Sequence, residues 1–163
     1  LVAVQKGGIL VLADLVRRID APLAVDFVAV SDYEGGSGRA QIVLDLGTDI
    51  FDRDVVLVED IVDTGLTCSY VLETFRQRSP RSLSVCALFD RRSRRIIPVP
   101  LRFVGFEATD ELLIGRGLGV SGKYRNLDFV AKVDPALLRE DSDAYASYFF
   151  APPTGPGERP VTS

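Results

Sequence analysis

Val55-Val56-Leu57-Val58-Glu59-Asp60-Ile61-Val62-Asp63-Thr64-Gly65-Leu66-Thr67 passes from an unbroken apolar run into three carboxylates and two hydroxyls crowded within nine residues. A short apolar run without polar alternation suits a strand covered on both faces. Cys68, Val71, Leu72 and Phe75 follow at helical spacing, so the acids and hydroxyls fall on a strand-to-helix junction. A helix amino terminus presents unpaired N–H groups and the positive end of a dipole; Gly65 lets backbone approach an anion, and Thr64 and Thr67 add hydroxyl donors. Glu59 and Asp60, at the carboxyl end of the strand, can accept hydrogen bonds from a diol. A lone Asp-Thr-Gly would read as a capped helix in a solvated turn. The apolar strand directly before the acids favours a ligand site instead. Leu66 stands where a Walker loop requires lysine, which disfavours a nucleotide hydrolase.

Outward from this junction, strand-length apolar runs alternate with helix-period segments, the pattern of an α/β domain with a mainly parallel, twisted sheet flanked by helices. Leu1 to Val4 predicts a strand, Ile9 to Ile19 a helix after Gly7-Gly8, and Leu23 to Val30 a second strand. Ser31 to Arg39, with three glycines, two acids and Tyr33, has the composition of a surface loop able to act as a lid. Ser84 to Phe89, Phe103 to Phe106 and Phe129 to Val133 predict further strands, and Asp90 to Arg95 a charged turn. The tail from Ala151 is rich in proline and glycine and is expected to be disordered. A domain over 1–135 and a C-terminal extension over 136–163 follow from this division. The start, inside a strand and without methionine, suggests that an N-terminal segment is missing.

The 163 residues, 47% of them hydrophobic, suit one core. A formal charge of −4 argues against a nucleic-acid partner and for a small molecule. No run nears the roughly 20 apolar residues of a membrane span, so no membrane partner and a soluble, cytoplasmic protein are expected. Histidine is absent, which excludes serine–histidine and cysteine–histidine catalysis. Cys68 and Cys86, both in apolar segments, read as buried small hydrophobes.

Val56 to Thr67 resembles the phosphoribosyl pyrophosphate motif of type I phosphoribosyltransferases, closest in wording to the hypoxanthine-guanine branch. Lys6-Gly7-Gly8, Asp26-Phe27-Val28-Ala29-Val30-Ser31, Val104-Gly105-Phe106-Glu107 and Lys123-Tyr124-Arg125-Asn126-Leu127 match in the family's order, so the resemblance covers about Leu1 to Val133. It implies the type I phosphoribosyltransferase fold with a small hood over the base site. It also implies transfer of 5-phosphoribose from phosphoribosyl pyrophosphate to hypoxanthine or guanine with Mg²⁺, in a homodimer or homotetramer. By the same resemblance Asp63 is the catalytic acid–base group, with Tyr33 working from the lid. Glu59 and Asp60 hold the ribose and, directly or through water, the metal. Asp63, Thr64, Gly65, Leu66 and Thr67 cradle the 5′-phosphate. Lys6, Gly7 and Arg125 bind pyrophosphate, and Arg91, Leu112 and Leu113 face the base. The Gln5–Lys6 peptide corresponds to a bond that is often cis.

The base site departs from the family pattern. Arg91 replaces a lysine, Leu112 an aromatic ring and Gly119 a carboxylate; the lid is short, with Asp32 where serine is common. On charge-run grounds alone Arg91, among Arg92, Arg94 and Arg95, would be a solvated turn. These departures lead to the expectation that hypoxanthine is preferred over guanine. Gly119→Asp with Leu112→Phe should then improve guanine use, if the backbone accepts a side chain at 119. A non-catalytic nucleotide sensor on the same fold, or a transferase for another base such as xanthine, are the other readings. Retention of Lys6, Asp63 and Arg125 favours the enzyme, because a sensor has no leaving pyrophosphate to stabilise.

Overall fold

The computed structural model describes residues 1–31 and 40–150. Strands β1 (Val2–Val4), β2 (Asp26–Val30), β3 (Ile42–Leu44), β4 (Asp54–Val62), β5 (Ser82–Asp90) and β6 (Leu101–Glu107) form one sheet in the order β3-β2-β1-β4-β5-β6. All neighbours are parallel except β2 and β3. Helix α1 (Gly8–Val16) joins β1 to β2, and α2 (Leu66–Arg76) joins β4 to β5. Each strand of β4 and β5 alternates its side chains between two apolar layers. Val56 and Val58 lie with Ala3, Val11 and Leu12 under α1, whereas Leu57 and Val85 lie with Val71, Leu72 and Phe75 under α2. Phe75, Leu57, Val58, Val71 and Val85 are fully buried. Truncating Leu57 or Phe75 to alanine would cost about 2–5 kcal/mol.

Because the chain winds from β1 towards one edge and from β4 towards the other, the reversal falls between β1 and β4. The loops leaving their carboxyl ends diverge there and open a crevice, the usual ligand position in open α/β sheets.

A second, smaller layer is built on β7 (Leu112–Ile114) and β8 (Ala131–Val133), an antiparallel pair, with α3 (Pro135–Glu140) and α4 (Ala146–Phe150). Its core joins Ile114, Tyr124, Leu127, Val133 and Leu138, with Leu112, Tyr145 and Phe149 packed against it. Asp134 caps α3 through Ala136 N–H at 2.8 Å, and Tyr124 Oη donates to Ser142 O at 2.8 Å. Residues 136–150 are therefore packed on this hood rather than trailing from it.

The predicted strands and helices exist, with shifted ends. α1 stops at Val16, three residues short of Ile19, and β2 begins at Asp26 rather than Leu23. β3 was not expected. It pairs antiparallel with β2, and its neighbour Gln41 closes on Ser31: Ser31 N–H donates to Gln41 O at 2.8 Å and Gln41 N–H to Ser31 Oγ at 3.2 Å. The predicted lid, with Tyr33 and Asp32, and the predicted disordered tail from Ala151 lie outside the described residues.

Candidate active site

At the carboxyl edge of β1 the backbone turns through a cis peptide between Gln5 and Lys6 and enters α1 at Gly8. Gly7 has no room for a side chain, since a Cβ would collide with the Asp60 carboxylate, and one at Gly8 would stand 2.6 Å from Val58 O. The two glycines thus let the loop after β1 lie directly against the acidic end of β4. Lys6 is exposed beside them and forms no salt bridge among the described residues.

Glu59 is 6% exposed and Asp60 is half-buried. Burial, and then the charge of Asp60, push the Glu59 carboxyl well above its ordinary value of 4.5. Burial also raises Asp60, opposed by the Ile61 N–H bond to Oδ1 at 2.9 Å and by the nearby Arg125 guanidinium. A carboxyl whose folded value is raised costs no stability below about 4.5, and the cost grows as pH rises through the folded value. In metal-free solution Glu59→Gln is therefore expected to raise the melting temperature at pH 7–8 and to leave it nearly unchanged at pH 4. The scale is about 2–4 °C for each kcal/mol recovered in a chain of this size. Scanning calorimetry at the two pH values checks it, and an equal gain at both would remove ionisation as the cause.

Asp63 follows β4 and is one-third exposed at its side chain. Its Oδ2 lies 3.2 Å from Arg91 Nη1 and 3.9 Å from Arg94 Nη1, whereas its Oδ1 is buried with no hydrogen-bond partner. Arg91 is itself 6% exposed. Its Nε donates to Thr109 O at 2.8 Å and its Nη2 to Glu111 O at 2.7 Å, which ties Asp63 to the segment leading into β7. The solvated-turn reading of Arg91 is overturned, because burial and three bonds fix the guanidinium beside Asp63.

Gly65 caps α2 with φ of 85°, a left-handed conformation that favours glycine, and its Cα faces the 95–99 segment. Thr64 Oγ1 accepts from Leu66 N–H at 3.3 Å, and Thr67 is exposed in the first turn of α2. Among the described residues, the N–H groups of Thr64, Gly65 and Thr67 have no acceptor. A cleft of about 200 Å³ is lined by Gln5, Ser31, Glu59, Asp63, Thr64 and Thr67, among others. It joins carboxylates suited to hydroxyls or a hard cation with N–H groups suited to phosphate.

Arg125 reaches this region from the hood. Its guanidinium donates to Gly117 O, its Nε is buried without a partner, and its charge acts on Asp60. A Cβ at Gly119 would run into Lys123 O and the Arg125 stem. The fold leaves no room for a side chain at 119, so the condition on which Gly119→Asp was expected to improve guanine use is not met. Leu112 packs against the hood core, and Leu113 is buried on the alternate side of β7. Burial pushes the Cys68 thiol up to about 12, in keeping with a small apolar residue that carries no chemistry.

Sequence reasoning missed Arg95. Its Nε donates to Asp63 O at 2.8 Å, one Nη2 bond reaches Val62 O at 3.0 Å, and Nη2 pairs with Asp90. Nothing in an arginine run distinguishes the buried member from its solvated neighbours. The one available signal was position, since Asp90 ends a buried strand and needs a cation nearby.

Residues 1–115 match the family described as "Phosphoribosyl transferase domain", the class that the fold and the cleft define together. The chain is 40% identical to the hypoxanthine-guanine phosphoribosyltransferase of Bacillus subtilis over 139 residues, 83% of this chain and 77% of that one. It is 42% identical to the hypoxanthine phosphoribosyltransferase of Salmonella typhimurium over 136 residues, 82% and 76% of the two chains. Among solved structures, a hypoxanthine phosphoribosyltransferase from Staphylococcus aureus superposes with a TM-score of 0.78 at 37% identity, covering 83% of this chain and 75% of that one. The chain belongs to the hypoxanthine-guanine phosphoribosyltransferase family.

Proposed function

We propose that the protein transfers the 5-phosphoribosyl group of phosphoribosyl pyrophosphate to hypoxanthine and/or guanine, giving IMP or GMP and pyrophosphate. The observation that carries this reading is the buried, unpartnered Oδ1 of Asp63, held by Arg91 through Oδ2 in a cleft that is also lined by Glu59 and the α2 amino terminus. An orphaned carboxylate oxygen is costly in a protein interior and calls for a donor from a ligand. A 6-oxopurine offers one in its N7–H. As N9 forms the bond to C1 of the ribose and the bond from C1 to the pyrophosphate oxygen breaks, Asp63 accepts or shares the N7 proton.

The remaining residues divide the donor among them. The N–H groups of Thr64, Gly65 and Thr67, with the Leu66 turn between them, take the 5′-phosphate. Glu59 and Asp60 accept from the ribose diol. Lys6, the backbone at Gly7 and Arg125 face the pyrophosphate, where positive charge stabilises the leaving group. Arg91 and the Leu112–Leu113 strand border the base, with the remaining Arg91 protons available to its 6-oxo group. Tyr33 completes the reading from the lid, where closure would exclude water.

Glu59 and Asp60 offer hard oxygen donors, which suits Mg²⁺, an ion that uses one or two carboxylates together with substrate phosphates rather than a closed protein cage. Fewer than three such side chains gather at any one point among the described residues, in keeping with that mode. Bound there, Mg²⁺ would neutralise charge on the departing pyrophosphate. The same reading carries a cytoplasmic homodimer or homotetramer, for which sedimentation and localisation are the tests. Among the described residues no helix is long and apolar enough to cross a membrane.

The decisive experiment incubates the protein with phosphoribosyl pyrophosphate, Mg²⁺ and a panel of bases including hypoxanthine, guanine and xanthine. IMP or GMP is the expected product, and no nucleotide from any base would favour the sensor reading. Asp60→Ala is expected to weaken donor binding by about tenfold, the loss of one charge-assisted bond to the diol. Unaltered donor affinity in calorimetry would reassign the ribose contact.

A further inference from the structure

We infer that Arg95 is a positioning residue that holds the phosphate loop with its N–H groups turned into the cleft. The inference rests on the assignment of residues 63–67 to the 5′-phosphate. Its geometric basis is that three successive carbonyls, from the last residue of β4 into that loop, are engaged from one side by one short turn. Val62 O accepts from Arg91 N–H at 3.0 Å and from Arg95 Nη2 at 3.0 Å. Asp63 O accepts from Arg95 Nε at 2.8 Å, and Thr64 O from Ile96 and Ile97 N–H at 2.8 and 3.0 Å.

In a trans peptide the C=O of one residue and the N–H of the next point in opposite directions. Anchoring the carbonyls of Asp63 and Thr64 to the 95–97 turn therefore directs the N–H groups of Thr64 and Gly65 away from it. Those are two of the groups left without an acceptor among the described residues, and both residues line the cleft. The fit behind the loop is tight, since a Cβ on Gly65 would also stand 3.0 Å from Arg95 Cδ. Arg95 is in turn fixed by Asp90, whose side chain is 4% exposed at the end of β5. The guanidinium suits this task because its planar fork can serve two carbonyls and a carboxylate at once, which a lysine ammonium on a flexible stem cannot hold in one geometry. Arg92 supplies an internal comparison. It also pairs with Asp90, at 2.9 Å, but is 71% exposed and donates to no loop carbonyl.

The test compares binding of IMP and inosine, which differ by the 5′-phosphate alone, by calorimetry on the native protein and on Arg95→Met, Arg95→Lys and Arg92→Met. Native protein that binds IMP no better than inosine would overturn the assignment of the loop to phosphate. With that preference present, Arg95→Met is expected to weaken IMP by about tenfold and to leave inosine unchanged. Arg95→Lys should not restore IMP affinity despite keeping the charge, and Arg92→Met should match native. The Michaelis constant for phosphoribosyl pyrophosphate should rise in Arg95→Met by more than turnover at saturation falls. IMP affinity within about twofold of native in Arg95→Met, an equal loss for inosine, or full recovery in Arg95→Lys would each overturn the role of Arg95. Should Arg95→Met fail to fold, Arg95→Gln, whose amide can serve one carbonyl only, takes its place with the same outcomes.

Discussion

Asp63→Asn is expected to lower turnover by about 10² or more while leaving the affinity for phosphoribosyl pyrophosphate nearly unchanged. The asparagine amide keeps the size of the carboxylate, and Arg91 Nη1, 3.2 Å from Oδ2, selects which way it turns. Its oxygen will face the guanidinium, because the alternative sets an N–H₂ against a donor. The NH₂ group then occupies the position of the orphaned Oδ1, where it can donate but cannot take a proton. Ground-state contacts to the donor are expected to survive, since the proposed ones come from the backbone of 64–67 and from Glu59 and Asp60. A fall in turnover of less than about tenfold, with binding intact, would remove Asp63 from the proton transfer.

Gly65→Ala is expected to have an effect of comparable size for a different reason, with both catalysis and stability lost. The left-handed φ of 85° costs an L-residue roughly 1–2 kcal/mol before any contact is considered. The added methyl would collide with Ile97 O and stand 3.0 Å from Val99 Cγ2. Backbone on both sides must move to relieve this overlap. The movement displaces the N–H groups proposed to hold the phosphate, so the Michaelis constant for the donor should rise by about tenfold or more, beyond the loss of folding free energy. Denaturant titration with steady-state kinetics separates the two. A variant that melts early but binds the donor normally would mean that the loop tolerates displacement and that Gly65 serves folding alone.

How much of this could be read from residues alone depended on whether the signal was local. The junction from Val55 to Thr67 was legible because an apolar run, a cluster of acids and a helical period follow one another without interruption. Strands β3 and β7 were not, since each gains its strand character from a partner distant in sequence. The site divides in the same way. Glu59, Asp60 and Asp63 announced themselves by spacing, whereas the burial of Arg91 and Arg95 depends on carbonyls supplied by residues 109–111 and 62–63. A run of arginines looks alike in sequence whether its members face water or protein. Gly119 was read as a missing carboxylate. In the fold it is also the space that lets the Arg125 stem pass, a steric fact that no residue pattern contains.

The closure of Ser31 on Gln41 bears on the evolutionary freedom of the segment between them. Ser31 and Gln41 are joined by hydrogen bonds at 2.8 and 3.2 Å, so the chain leaves and re-enters the sheet at two points held side by side. Each doubling of such a loop adds only about 0.6 kcal/mol to the entropy of closing it. A change in the number of residues joining those two points is therefore expected to cost the fold little.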